Sequence, residues 1–156
     1  MDTCFYASPL GRILIASDDI GLTGLWFEGS KYYPAGLSAP DYKMTPALRG
    51  AVRWLDEYFS GREPDFTPPL HLSGSDFRMR VWSELMKIPY GKTVTYGDIA
   101  RAVGCKSAQA VGGAVGHNPV SLIVPCHRVL GADSSLTGYA AGTERKQYLL
   151  QHESVL

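Results

Sequence analysis

Residues 95–116, TYGDIARAVGCKSAQAVGGAVG, decide the architecture of half this chain. Thr95 and Ser107 are hydroxyl residues of the kind that cap helix N-termini, because the side-chain oxygen accepts from an otherwise unpaired backbone N–H. The first predicts a helix over Tyr96–Val103 and the second a helix from Ala108 to about Gly116. Gly104-Cys105-Lys106 is the turn between them. Two short helices joined by a glycine-containing turn form a helix-turn-helix candidate. The second helix contains Gly112, Gly113 and Gly116, each of which costs helix stability relative to alanine. Close backbone approach to DNA or to another helix would account for that cost. Tight internal packing would do so equally well.

Working outward, Ser75 or Asp76 caps a preceding helix that runs through Met86, with Phe77, Val81, Trp82 and Leu85 inward. Pro89-Tyr90-Gly91 is a turn. Downstream, Asn118-Pro119 breaks the glycine-rich helix, and Ser121–Val124 reads as an extended apolar run leading into Cys126. Residues 131–142 form a small-residue loop. Thr143 then caps a last helix, Glu144–His152, with Tyr148, Leu149 and at its end His152 turned inward.

The first half has a different period. Cys4-Phe5-Tyr6, Gly11–Ala16 and Gly21–Phe27 are β-rich runs with turn residues beside them, and predict a small antiparallel meander. Residues 30–44 read as loop. Thr45 suits an N-cap and Pro46 the first helical position. Leu48, Val52, Leu55 and Phe59 then mark one apolar face, closed by Gly61. Residues 62–75 hold Pro64, Pro68, Pro69 and Gly74, a linker composition. The expected organisation is two domains, 1–72 and 73–156, in an α+β fold.

At 156 residues and 45% hydrophobic content, the chain is of ordinary globular size and composition. Its apolar runs are too short for a membrane span. Met1-Asp2-Thr3-Cys4 carries neither a basic region nor a signal-type apolar core, which makes a cytoplasmic location the default expectation. Net charge is zero. Residues 1–73 contain 6 Lys+Arg and 9 Asp+Glu, and residues 74–156 contain 9 and 6, so the halves carry −3 and +3. Any anionic partner would therefore favour the second half. Three widely spaced cysteines, Cys4, Cys105 and Cys126, do not make a disulfide framework, and no CxxC or Cys/His spacing supports zinc. No metal and no cofactor are expected.

The chemistry concentrates at Val124-Pro125-Cys126-His127-Arg128. A thiolate is the nucleophilic form of cysteine, and a nearby imidazole can generate it near neutral pH. Adjacency alone does not pair the two, because neighbouring residues can face opposite ways. His127 or His152 could serve as base, with Glu153 a candidate to orient it. A thiol nucleophile beside a nucleic-acid reader is the reading of the residues.

In order along the chain come Phe77, Val81-Trp82, Ile88-Pro89-Tyr90-Gly91-Lys92-Thr93-Val94-Thr95-Tyr96, Ala110-Val111-Gly112 and Asn118-Pro119. Val124–Val129, Thr137-Gly138-Tyr139, Leu149-Leu150 and His152-Glu153 follow. This set, spanning about residues 76–153, resembles the O6-alkylguanine-DNA alkyltransferases. The first half resembles them more loosely, through Ser8-Pro9-Leu10-Gly11 and the strand-strand-helix order. The resemblance implies a ribonuclease H-like N-terminal α/β support domain and a winged-helix-like C-terminal helical domain. It implies that a damaged guanine is flipped from alkylated double-stranded DNA, approached through the minor groove. The alkyl group then passes irreversibly to the protein, one per molecule, with O4-alkylthymine a second candidate substrate.

Residue by residue, the resemblance makes Cys126 the acceptor, His127 a base acting through a water, Glu153 its orienting carboxylate and Asn118 a brace for the active-site turn. Tyr96 would rotate the target's phosphate, with Thr95, Arg78 and Gln109 also facing DNA. Val129, Tyr139, Ala140, Ala141 and Lys146 would line the pocket. Arg128 is expected to be structural, paired with a carboxylate. Gln109 stands where the family commonly has an arginine, which predicts weaker capture of the extrahelical base. Ala140-Ala141 stand where some members have Ser-Gly, leaving discrimination between alkyl groups open. The zinc ligands of some members are missing. A monomer without membrane attachment is expected. Two rivals are a lesion-binding protein lacking the acceptor cysteine, disfavoured by Cys126, and a thiol hydrolase, disfavoured by the helix-turn-helix and Tyr96.

Overall fold

The computed structural model describes residues 1–34, 44–136 and 138–155. The chain divides into two compact units, Met1–Ser73 and Gly74–Leu156. The expected loop at 30–44 lies largely outside the described residues.

In the first unit, β1 (Asp2–Ser8), β2 (Gly11–Ser17) and β3 (Leu22–Phe27) form an antiparallel meander in the order β1-β2-β3. Ser8 fixes the first turn: its hydroxyl donates to the Gly11 carbonyl and accepts from Leu10 N–H. The central strand is buried continuously over Ile13–Ser17, which is why its sequence is an apolar run and not an alternating one. Helix α1 (Pro46–Phe59) begins where its cap predicts, with Thr45 accepting from Leu48 N–H. Its buried face differs from the expected one. Leu48 and Leu55 are buried, but Val52 and Phe59 are only half-buried, and Ala47, Ala51, Trp54 and Tyr58 complete the face. Tyr58 lies inward because its ring stacks on Trp54 at 5.2 Å. The proline-rich segment is partly docked: Leu22 N–H donates to Pro69 O, and His71 N–H donates to Leu22 O, both at 2.8 Å.

In the second unit, α2 (Asp76–Leu85), α3 (Tyr96–Val103) and α4 (Ala108–Gly116) pack on one another. Ser75, Thr95 and Ser107 cap them with side-chain hydrogen bonds. Thr95 and Asp98 form a reciprocal capping box. Gly104 ends α3 at φ 69°, a left-handed conformation that glycine adopts without the Cβ penalty. Buried Trp82 donates its indole N–H to Ala114 O at 2.8 Å, which fixes α4 on α2. Phe77, expected inward, is half-buried.

Two further expectations are corrected. Residues 121–124 form a turn and not an extended run. Leu122 has φ 71°, and Val124 N–H donates to Val120 O. The last helix, α5 (Thr143–His152), starts one residue earlier than expected, with Gly142 and not Thr143 at the N-cap position and no side-chain cap. Its buried residues are Lys146, Leu149 and Leu150, followed by Glu153, whereas Tyr148 is exposed and His152 only half-buried. The inward face therefore runs i, i+3, i+4, i+7 from a lysine. No helix among the described residues is long and apolar enough to cross a membrane.

Candidate active site

The short parallel pair β4 (Val94–Thr95) and β5 (Val129–Leu130) assembles the site. Val94 pairs with Val129 and Thr95 with Leu130. Tyr96, directly after β4, is thereby tied to the 3₁₀ turn Cys126–Arg128, directly before β5. Cys126, His127 and Arg128 are all buried.

His127 Nε2 lies 2.6 Å from Glu153 Oε2, and neither side chain is exposed. The same carboxylate accepts from Arg128 Nε at 2.8 Å, from Arg128 Nη2 at 3.3 Å and from Gly91 N–H at 3.1 Å. Arg128 Nη1 donates to Ile88 O at 2.8 Å. Glu153 is thus the knot that joins the cysteine turn, the 88–91 turn and the end of α5. Burial alone would raise its pKa. The His127 hydrogen bond and charge, with the Arg128 guanidinium, outweigh that and hold the carboxyl well below the usual range. A carboxylate on Nε2 fixes the tautomer with the proton there and leaves the Nδ1 lone pair free to act as a base. Nδ1 is buried and has no hydrogen-bond partner among the described residues.

Burial pushes the Cys126 thiol pKa up, partly offset by the Asn118 amide and the Lys146 charge. Burial pushes the His127 imidazole pKa down, against the pull of Glu153. Both shifts favour the uncharged forms, a thiol and a neutral imidazole. Asn118 Nδ2 donates to Val124 O at 2.7 Å, and its Oδ1 accepts from Val120 N–H at 3.1 Å. His117, not Asn118, is the C-cap of α4, so Asn118 holds the turn that carries Cys126.

Lys146 is fully buried, donates to Val129 O at 2.5 Å, and stands 5.8 Å from the Tyr96 ring centre and 6.0 Å from that of Tyr139. Burial lowers its pKa to about 8, with the Cys126 charge opposing. Tyr96 is pushed up to about 12, first by burial and then by the Cys126 charge. The Tyr139 hydroxyl is sealed from solvent without a hydrogen-bond partner among the described residues. Ala140 and Ala141 are half-buried in the loop that leads to α5.

An open cavity of about 530 Å³ is lined by Tyr96, Gly97, Ala108, Gln109, Gly112, Ala132 and Gly138. It brings the flank of α4 and the first turn of α3 together with the 131–142 loop. Arg78, in the first turn of α2, is not among its walls. A Cβ added at Gly112 or Gly113 would meet nothing within 4 Å. Internal packing therefore does not require these two glycines. No cluster of three or more His, Cys, Asp or Glu suited to a metal ion occurs among the described residues.

Sequence reasoning missed the full burial of Lys146 and the twofold grip of Arg128 on Glu153. The spacing 146-149-150-153 was the available signal, obscured because a lysine and a glutamate do not read as inward residues.

Fold and site together define a helical unit with a helix-turn-helix, built around a buried cysteine whose neighbouring histidine is paired with a buried glutamate. The model of the 6-O-methylguanine DNA methyltransferase DNA-binding domain matches residues 76–155, and that of the family's ribonuclease-like domain matches residues 3–72. The chain belongs to the 6-O-methylguanine DNA methyltransferase family. It is 46% identical to a methylated-DNA–protein-cysteine methyltransferase of Mycolicibacterium paratuberculosis, over 94% of this chain and 88% of that one. It is 40% identical to the Haemophilus influenzae protein of the same name, over 97% and 85%. The structure of the Mycobacterium tuberculosis OGT in complex with DNA superimposes with a TM-score of 0.88 at 42% identity, covering 98% of this chain and 92% of that one.

Proposed function

We propose that this protein repairs DNA by moving an alkyl group, methyl in the simplest case, from O6 of guanine to Cys126. The observation that carries the reading is the buried Cys126 turn beside a His127–Glu153 pair of 2.6 Å. The relatives' names and the DNA complex of the tuberculosis protein support the substrate class.

His127 Nδ1 takes the thiol proton through a bridging water, and Glu153 stabilises the imidazolium that forms. The sulfur attacks the alkyl carbon, the S–C bond forms as the C–O6 bond breaks, and the electron pair goes to the guanine. The guanine gains one proton and the thiol has given one up, so the step is neutral overall. Tyr96, with its hydroxyl held protonated, donates to the base and presses on the target phosphate. Lys146 steadies the thiolate. Val129, Tyr139, Ala140 and Ala141 line the base pocket. Nothing in this scheme restores the thiol, so each molecule acts once.

Approach through the minor groove is favoured by the open side of Gly112 and Gly113, where backbone can come close to the duplex. Gln109 fills the gap behind the flipped base, and Thr95 and Arg78 contact the backbone. The protein acts as a monomer in the cytoplasm, the first unit supporting the second. Mixing protein with excess O6-methylguanine duplex and counting repaired strands tests the reading. Repair should stop at one strand per protein, and continued turnover would refute it.

A further inference from the structure

The glycines around the cavity are not equivalent. A Cβ at Gly97 would meet only ordinary contacts, and one at Gly112 would meet nothing. A Cβ at Gly138 would lie 2.5 Å from the Tyr96 hydroxyl oxygen and 3.3 Å from its Cζ, and Gly138 has φ 84°. The phenol end of Tyr96 therefore rests on the bare Cα of the pocket loop. Its other end cannot retreat easily. Tyr96 is the first residue of α3, and the Thr95–Asp98 capping box locks the backbone there.

We propose that Gly138 is a positioning residue for Tyr96, and that its missing side chain is the seat on which the hydroxyl is set for rotating the target nucleotide. This rests on the alkyl-transfer reading above. The loop that lines the base pocket and the tyrosine that delivers the base are then held by one contact, so displacing either misplaces both. The consequence falls on duplex DNA, where the nucleotide must be extruded, more than on single strands, where it need not be.

The alternative is that Gly138 serves only its left-handed backbone. A double-mutant cycle separates the two. Single-turnover methyl transfer is measured by intact mass on duplex and single-stranded O6-methylguanine oligonucleotides for wild type, G138A, Y96F and G138A/Y96F. The left-handed strain is common to both backgrounds, whereas the collision with the hydroxyl exists only when Tyr96 is present. G138A should lower the duplex-to-single-strand rate ratio by roughly tenfold in the wild-type background, less than the roughly 10²-fold that a misplacement of about 1 Å can cost, and by much less in the Y96F background. G138N supplies a second variant, since asparagine tolerates positive φ yet carries a Cβ; it should lower the ratio as G138A does. Equal costs of G138A in both backgrounds, or a wild-type ratio in G138N, would overturn the proposal. Absence of any methyl uptake by the wild-type protein would instead overturn the reading on which it rests.

Discussion

Glu153 and Arg128 form a two-pronged ion pair in the buried site, with Nε on Oε1 at 2.8 Å and Nη2 on Oε2 at 3.3 Å. Because the same carboxylate bonds His127 Nε2, the pair that holds the fold also fixes the orientation of the imidazole.

Glu153→Gln should therefore damage stability and rate together. It leaves a buried guanidinium without its countercharge, a loss of about 3–5 kcal/mol, and should slow methyl transfer by about 10²-fold or more through loss of the oriented base. The stability effect has a defined pH window. Glu153 has a lowered pKa in the folded state, so its contribution is complete above the ordinary carboxylate pKa and is lost as pH falls through the folded value. Urea unfolding should show a constant gap between wild type and variant above about pH 5, narrowing below it. His127, also lowered, erodes stability in the same direction in both proteins as the unfolded chain protonates.

Asn118→Ala removes the amide that holds Val124 O and Val120 N–H and that lowers the Cys126 pKa. A loss of roughly 2–5 kcal/mol is expected in chemical denaturation. In the folded variant the pH profile of Cys126 alkylation by iodoacetamide should move to higher pH. An unmoved profile would mean that the amide only braces the turn.

Gly112→Ala separates folding from binding. A Cβ there meets nothing, so the free protein should gain up to about 1 kcal/mol from helix propensity. Duplex affinity should fall, by roughly tenfold in a titration at fixed salt. A variant that is more stable and binds DNA as well as wild type would show that no partner approaches this face.

Gln109→Arg should raise the rate of repair on duplex DNA and increase the salt dependence of binding, since a cation replaces a neutral amide on the cavity wall. Unchanged rate and affinity would mean that glutamine fills this position as well as the charged residue.

The caps of α2, α3 and α4 were legible because Ser75, Thr95 and Ser107 act through local hydrogen bonds that depend on near neighbours alone. The inward face of α5 was not, because Lys146 and Glu153 are buried by partners far along the chain, Val129 O, His127 and Arg128. The turn at 121–124 looked extended for a related reason. Its apolar side chains suit a strand, whereas the fold-back is held by Val124 N–H on Val120 O and by the buried Asn118 amide on Val124 O. Cys126 stood out from its surroundings in sequence. The contact of Tyr96 with Gly138 joins residues 42 positions apart and leaves no periodic trace.

The central claim is that Cys126 accepts the alkyl group and keeps it. Incubation with an O6-methylguanine duplex followed by intact mass and peptide mapping tests it directly. The account predicts one added methyl per protein, located on Cys126, stable on standing and absent from Cys126→Ser. Unmodified protein beside repaired DNA, or a methyl on any other residue, would contradict it.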